Sequence, residues 1–300
     1  MFWAFLILAQ LLRGLQVTGS NTGIGLSIVR SLCKHFGENG IVYLTARNEG
    51  RGREAMDTLE KEGLHPRFHL LDVGKMASME AMRDFIKAEH GGLDILINNA
   101  GIAYKGNDTP MSEQARGTID INFYGVLHMT NLFLPLIRNG GRIVQVASMV
   151  APMSYYRCSE DLQKKFKEVS TEQGVIDLME EFVKATGTGN HVDQGWPDWA
   201  YGVSKLGVVA LTRIQGQAVA KDTTKEDVLL NCCCPGYVVS NMTAHHKSAM
   251  AANRIPTEEG AVNPVYLALL PPGTIDLQGV LISKKTVKDF WNNDIRPISF

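Results

Sequence analysis

Three hundred residues, 45% apolar and 20% charged, suffice for one large core and have the composition of an ordinary globular protein. A formal net charge of −1 without a basic tract argues against a binder of phosphate backbones such as a nucleic-acid-binding domain. The five cysteines, at 33, 158, 232, 233 and 234, make a poor disulfide framework and offer no zinc-ligand spacing, so no metal is expected and reduced thiols in a cytoplasmic compartment fit best.

The chain opens on an apolar run, Phe2 to Leu12, broken only by Gln10 and followed by Arg13-Gly14. It lacks the positive residue and cleavage site of a signal peptide, and is short of the roughly 20 apolar residues that span a bilayer. Residues 1–16 therefore read as an atypical apolar segment, buried or partly ordered. Membrane association through them is the less favoured alternative. From residue 17 to 300, short apolar strands alternate with helical patterns, as expected for a single α/β domain: a doubly wound, Rossmann-type parallel sheet with helices on both faces. Expected strands are Ile41 to Thr45, Phe68 to Leu71, Ile95 to Ile97, Ile143 to Val146, Val228 to Cys232 and Gly279 to Ile282. Expected helices are Ile24 to Phe36, Arg51 to Glu62, Met76 to Glu89 and Ile119 to Ile137. A polar insertion over 158–198 carries Leu162, Phe166, Ile176, Met179 and Phe182 at helical spacing, which predicts short amphipathic helices on the domain rim, a place where lids and binding elements occur.

The first chemical signal is the loop Thr18-Gly19-Ser20-Asn21-Thr22-Gly23-Ile24-Gly25, which opens directly into a helix. Glycines there let the backbone approach a pyrophosphate, and the helix start supplies free N–H donors. At the end of the second strand, where an acidic residue would select NAD, the chain has Ala46-Arg47 with Arg51 four residues on. Two guanidinium groups suit a 2′-phosphate, so NADP(H) is the expected cofactor.

Asn98-Asn99-Ala100-Gly101 then follows a strand, Asn122 lies in a helix, Ser148 follows another strand, and Tyr201 stands four residues before Lys205, on one helix face. A free tyrosine has a pKa of about 10, and a neighbouring ammonium favours its phenolate and brings it toward working pH.

Taken in order, Thr18 to Gly25, Asp72-Val73, Asn98 to Gly101, Asn122, Ser148, Tyr201/Lys205 and Pro235-Gly236 resemble the short-chain dehydrogenase/reductase family. The long insertion with Gly195-Trp196-Pro197, and segments such as Cys233-Cys234-Pro235-Gly236, resemble its monomeric NADPH-dependent carbonyl reductase branch, from about Val17 to about Trp291. The resemblance implies reduction of small-molecule ketones, aldehydes and quinones to alcohols. Tyr201 is then the proton donor, Ser148 holds the carbonyl oxygen, Lys205 binds ribose hydroxyls and lowers the Tyr201 pKa, and Asn122 holds a water beside Lys205. Asp72 reaches the adenine, Asn99 the ribose side, and Val238, Val239 and Ser240 the nicotinamide carboxamide, with Val73 also binding the cofactor. Met149, Trp196, Tyr237 and Met242, with Gln114 behind them, are the candidate substrate walls. Ser240 stands where the family often has Thr, and Ala147 where the branch usually has Ser. The insertion would cover a helical face that relatives use to oligomerise, which points to a monomer. Two other functions fit the same residues: an NADP-dependent hydroxysteroid or lipid-alcohol dehydrogenase, and a catalytically silent NADP-binding protein.

One stretch departs from the pattern. The strand leading into the glycine loop is Arg13-Gly14-Leu15-Gln16-Val17, and a strand buried on both faces should not carry Arg and Gln unpaired.

Overall fold

The computed structural model describes residues 13–105, 108–244, 252–284, 286–292 and 294–297, so the apolar run over 2–12 lies outside the described residues. The alternation of apolar and amphipathic segments produces β1 (Arg13–Val17), α1 (Gly23–Phe36), β2 (Gly40–Ala46), α2 (Glu49–Lys61), β3 (Arg67–Leu70), α3 (Met76–His90) and β4 (Leu93–Asn98). There follow α4 (Met111–Thr118), α5 (Gly125–Phe133), β5 (Ile137–Val146), α6 (Val150–Tyr155), α7 (Glu160–Glu168) and α8 (Glu172–Gly187). The chain continues with α9 (Ala200–Lys221), β6 (Leu229–Cys233), α10 (Thr257–Gly260), α11 (Val262–Ala268), β7 (Leu281–Ser283), β8 (Thr286–Asp289) and β9 (Asp294–Pro297).

Among the described residues these strands form one nine-stranded sheet in the order β3-β2-β1-β4-β5-β6-β7-β8-β9. The pairs from β3 to β7 are parallel, and β8 and β9 extend the sheet antiparallel. The order reverses between β1 and β4, the switch point at which open α/β sheets bind ligands beyond their strand ends. One sheet face packs Leu15, Val17, Leu44 and Ile97 against Ile28, Leu32 and Leu59 of α1 and α2. The other packs Tyr43, Leu96 and Ile143 against Met79, Met82 and Ile86 of α3 and Phe133 of α5.

The helix expected over Ile119 to Ile137 is divided. A wide π-type turn, Ile119–Tyr124, joins α4 to α5, and the tight turn Leu134–Leu136 leads directly into β5. The insertion becomes α7 and α8, longer and deeper than rim helices. Leu162, Phe166, Val175, Met179 and Phe182 are buried with Val203, Leu206 and Ala210 of α9 in one core cluster. Thr171 caps α8 by accepting from Gly174 N–H at 3.1 Å, and Arg116 of α4 pairs with Glu180 at 3.1 Å, which fixes α8 over α4. Apolar burial therefore docks the insertion, and polar contacts set its position along α4.

The odd first strand is accommodated unevenly. It starts at Arg13 and occupies the centre of the sheet, so residues 13–16, set apart with the apolar segment in the sequence, belong to the sheet. Arg13 sits at the exposed strand end over the Phe36 ring, 5.7 Å from its centroid. Asp94 accepts the Gly14 N–H at 2.7 Å and pairs with Arg138 at 2.6 Å. Gln16, by contrast, is 0% exposed in register with Tyr43 and Leu96, and neither amide atom finds a partner among the described residues. A buried, unpaired amide costs about 1–3 kcal/mol. Gln16→Leu should therefore raise Tm by roughly 2–6 °C for a domain of this size, read by calorimetry or thermal CD; an unchanged or lower Tm would refute the burden assigned to Gln16.

Candidate active site

A cleft of about 400 Å³ opens at the switch point, walled by the glycine loop, the ends of β2 and β4, the start of α9 and the segment after β6. The first wall is shaped by contacts that tolerate only glycine. Gly19 has φ +58°, and a Cβ there would lie 2.9 Å from Ala100. At Gly25, in the first turn of α1, a Cβ would lie 2.6 Å from Asn99 Nδ2 and 2.7 Å from Ser20 Cα. The loop's backbone can thus approach a ligand, with the free N–H groups of the α1 N-terminus behind it.

Two polar side chains hold this loop in place. The Ser20 hydroxyl is fully buried, donating to Val17 C=O at 2.8 Å and accepting from Thr45 N–H at 2.9 Å, so it ties β1 to β2 rather than facing the cleft as expected. The Asn99 amide donates to the carbonyls of Thr18 and Gly19 at 2.9 and 3.1 Å. Asn99 lines the cleft, but its amide nitrogen is spent on the loop. Thr18, to which the sequence reading gave no separate role, accepts from Asn99 and Ala100 N–H at 2.9 and 3.0 Å. Its place at the strand end, directly before the first glycine, was the only signal.

Arg47 and Arg51 both line the cleft, are exposed, and form no ion pair among the described residues. Between them Asn48 caps α2 by accepting the Arg51 N–H at 2.9 Å. Asp72 and Val73 form the opposite side, with Asp72 accepting Gly74 N–H at 3.0 Å. This set fits NADP(H): a backbone cradle at a helix start for the pyrophosphate and two uncommitted guanidinium groups where a 2′-phosphate would lie.

Tyr201 and Lys205 stand one turn apart on α9 and both line the cleft. The ammonium nitrogen lies 5.9 Å from the Tyr201 ring centroid and donates to the Val146 carbonyl at 2.7 Å. Burial raises the Tyr201 pKa above the usual phenol value, with the nearby Cys234 adding to it and hydrogen bonding to Ser148 opposing it. Burial likewise lowers Lys205 to about 8. Removal from water thus penalises the charged forms of both side chains. Ser148, just after β5, accepts the Val150 N–H at 3.3 Å.

Asn122 sits in the π-type turn, 0% exposed. Its Oδ1 accepts Ile102 N–H at 2.8 Å, and its amide donates to Ile102 C=O at 2.9 Å and Ser204 Oγ at 3.0 Å. Its side-chain amide thus clamps the loop after β4 onto α9.

The expected substrate walls are only partly assembled. Met242 lines the cleft; of the residues expected at the nicotinamide carboxamide, Ser240 lines it, Val238 is buried and Val239 is 51% exposed. Met149 and Tyr237 are half-buried and stand outside the cleft lining. Trp196 is 1% exposed, with its ring 5.9 Å from Phe166 and 5.3 Å from Phe182, so it is part of the insertion core and does not face substrate. Gln114 donates to Thr109 C=O at 2.8 Å and braces a loop. Ile102, Ile121 and Asn241, which the sequence did not single out, also line the cleft. Cys234 is buried, its sulfur accepting Gly236 N–H at 3.3 Å.

The family model for short chain dehydrogenases matches residues 15–160. The chain is 47% identical to carbonyl reductase (NADPH) 1 of Bos taurus over 273 residues, which is 90% of this chain and 96% of that protein. Among solved structures it is similar to salutaridine reductase from Papaver somniferum, with TM-score 0.76, 28% identity, and coverage of 90% of this chain and 99% of the other. Menthone neomenthol reductase from Mentha piperita gives TM-score 0.73, 29% identity, and coverage of 90% and 97%. With the switch-point cleft, the glycine loop and the tyrosine–lysine pair in place, the chain belongs to the short-chain dehydrogenase/reductase family.

Proposed function

We propose that this chain is an NADPH-dependent carbonyl reductase, turning ketones, aldehydes and quinones into alcohols. The observation that carries the reading is a tyrosine and a lysine on one helix face, opening into the cleft that holds the glycine loop and two exposed arginines. The similarity to carbonyl reductases along nearly the whole chain supports it.

NADPH, when bound, supplies the hydride. The rest is the work of the side chains. Ser148 hydrogen-bonds the substrate carbonyl oxygen and orients it. Tyr201 gives that oxygen its proton as negative charge develops, and a phenol whose pKa is raised is fully protonated at neutral pH, the form a donor needs. Lys205 remains a cation only below about pH 8, and there stabilises the phenolate left after proton transfer. Asn122 holds the loop after β4 in register with α9 and thereby keeps the pair aimed into the cleft. Arg47 and Arg51 select the 2′-phosphate, while Asp72, Val73 and Ser240 line the remaining cofactor path. Met242, with Ile102 and Ile121, supplies an apolar lining suited to varied carbonyl compounds.

The chain is proposed to act as a monomer, since α7 and α8 bury the outer faces of α4 and α9. A cytoplasmic setting agrees with five free, buried cysteines. Among the described residues no helix is long and apolar enough to cross a membrane.

Tyr201→Phe should lower kcat by about 10²–10⁴-fold, the usual weight of a general acid, with NADPH binding nearly unchanged by fluorescence titration; unaltered turnover on a panel of ketones, aldehydes and quinones would end the proposed mechanism. Replacing Arg47 and Arg51 together with Ala should weaken NADPH binding by about 3–6 kcal/mol, taking 1.5–3 kcal/mol for each charged hydrogen bond, and leave NADH binding almost untouched. Equal effects on the two cofactors would contradict the assignment.

Lys205 generates a pH prediction. Its folded pKa, about 8, lies below the ordinary 10.5, so folding releases a proton between those values and its burial penalty is fully present below about pH 8. Lys205→Met should thus abolish turnover yet melt no lower than wild type at pH 7, an advantage that shrinks as pH rises from 8 to 10.5. Wild-type kcat/KM should fall above about pH 8 as the ammonium loses its proton. A profile flat to pH 10, or a variant much less stable at pH 7, would count against this role.

A further inference from the structure

We propose that Trp291, in the turn between β8 and β9, is a positioning residue for the substrate-binding side of the site, acting through α6. The inference rests on the reading that Ser148 holds the substrate carbonyl oxygen. α6 grows directly out of Ser148: Ala151 N–H donates to Ser148 C=O at 3.1 Å, and Val150 N–H to Ser148 Oγ at 3.3 Å. A helix of six residues has little capacity to hold its own position, so its other end must be fixed from outside.

That end is held by an aromatic cluster. The Tyr155 ring, 6% exposed, lies 5.2 Å from the Trp291 ring, edge to face, and 5.4 Å from Phe290. Phe290 and Trp291 are themselves 4.2 Å apart. The Tyr156 hydroxyl donates to the Phe290 carbonyl at 3.2 Å. Behind Trp291 stands Arg213 of α9, its guanidinium 4.6 Å from the ring centroid. The same guanidinium donates to the carbonyls of Phe166 and Val169, at and just past the end of α7, at 2.9 and 3.0 Å. Trp291 thus stands where the last strands of the sheet and Arg213, itself bonded to the end of α7, meet the far end of the Ser148 helix, which also packs directly on α9. Aromatic pairs and cations over aromatic faces each contribute beyond simple burial.

No residue of this cluster lines the cleft formed by the glycine loop and the two arginines. Loosening α6 therefore moves Ser148 and Met149 without disturbing cofactor recognition. With NADPH and a naphthoquinone, Trp291→Ala should lower kcat/KM by about 10- to 100-fold, chiefly through KM, while the Kd for NADPH stays within about twofold of wild type. Trp291→Phe, which keeps a ring against Tyr155, should recover most of the loss. Tyr156→Phe keeps the packing and removes one hydrogen bond, so it should raise KM a few-fold even where the alanine variant folds poorly. The positioning role is overturned if Trp291→Ala matches wild type, if NADPH affinity falls in step with catalysis, or if Trp291→Phe is as impaired as the alanine variant. A wild-type enzyme that consumes no NADPH with any carbonyl compound would instead overturn the reductase reading itself.

Discussion

The interlock between Thr18 and Asn99 at the ends of β1 and β4 is the contact on which the site depends. Each residue satisfies backbone groups belonging to the other's loop, so the two strand ends at the switch point are locked in register. The lock also dictates sequence nearby. Because the Asn99 amide sits over the first turn of α1, no side chain larger than hydrogen fits at Gly25, and because Ala100 crowds the loop, Gly19 must be glycine in a left-handed conformation. The open backbone cradle is a by-product of tightly satisfied polar groups around it.

On the far side of the switch point the same economy is reversed. Lys205 is buried at 4% exposure with one carbonyl partner, and Tyr201 sits where its charged form is penalised. The fold bears this cost through a rigid setting. A buried polar chain ties Asn98 of β4 and Gln145 of β5 to Thr130 of α5, and Gln145 to Gln215 of α9 at 2.9 Å. Gln215 in turn donates to Glu172 of α8 at 2.7 Å. Elements bearing Asn99, Ser148 and Tyr201 are thereby keyed to one another and to the insertion, since displacing any of them would leave a buried amide unpaired.

The insertion is consequently less a lid than a second layer of core. Its Trp196, in a polar stretch, looks from the sequence like a pocket wall, yet the ring is needed between Phe166 and Phe182 to close the cluster over α9. Composition alone could not distinguish the two fates of a tryptophan: both require apolar surroundings, and only the packing of three helices says which surroundings it has. Asn122 illustrates the same limit for polar groups. Its position in the chain marked it as part of the site, but the widened turn that points both its amide atoms at Ile102 and Ser204 arises from tertiary contacts.

What the sequence determined by itself was periodicity and chemistry: the alternation that makes a parallel sheet, the glycines at the first βα turn, the arginines where an acid would choose another cofactor, and a tyrosine and lysine four apart. These are local properties, readable because strand and helix repeats and turn geometry act over a few residues. Tertiary structure alone decided the rest. It placed Arg13 at an exposed strand end and Gln16 in the buried core, although both are polar residues of one strand. It spent Ser20 on strand ends and set the burial that penalises the charged forms of Tyr201 and Lys205. It also brought Trp291 from the chain's far end against the helix that follows Ser148. Burial and partner choice depend on residues distant in the chain, and free energies of desolvation are set by that surrounding shell.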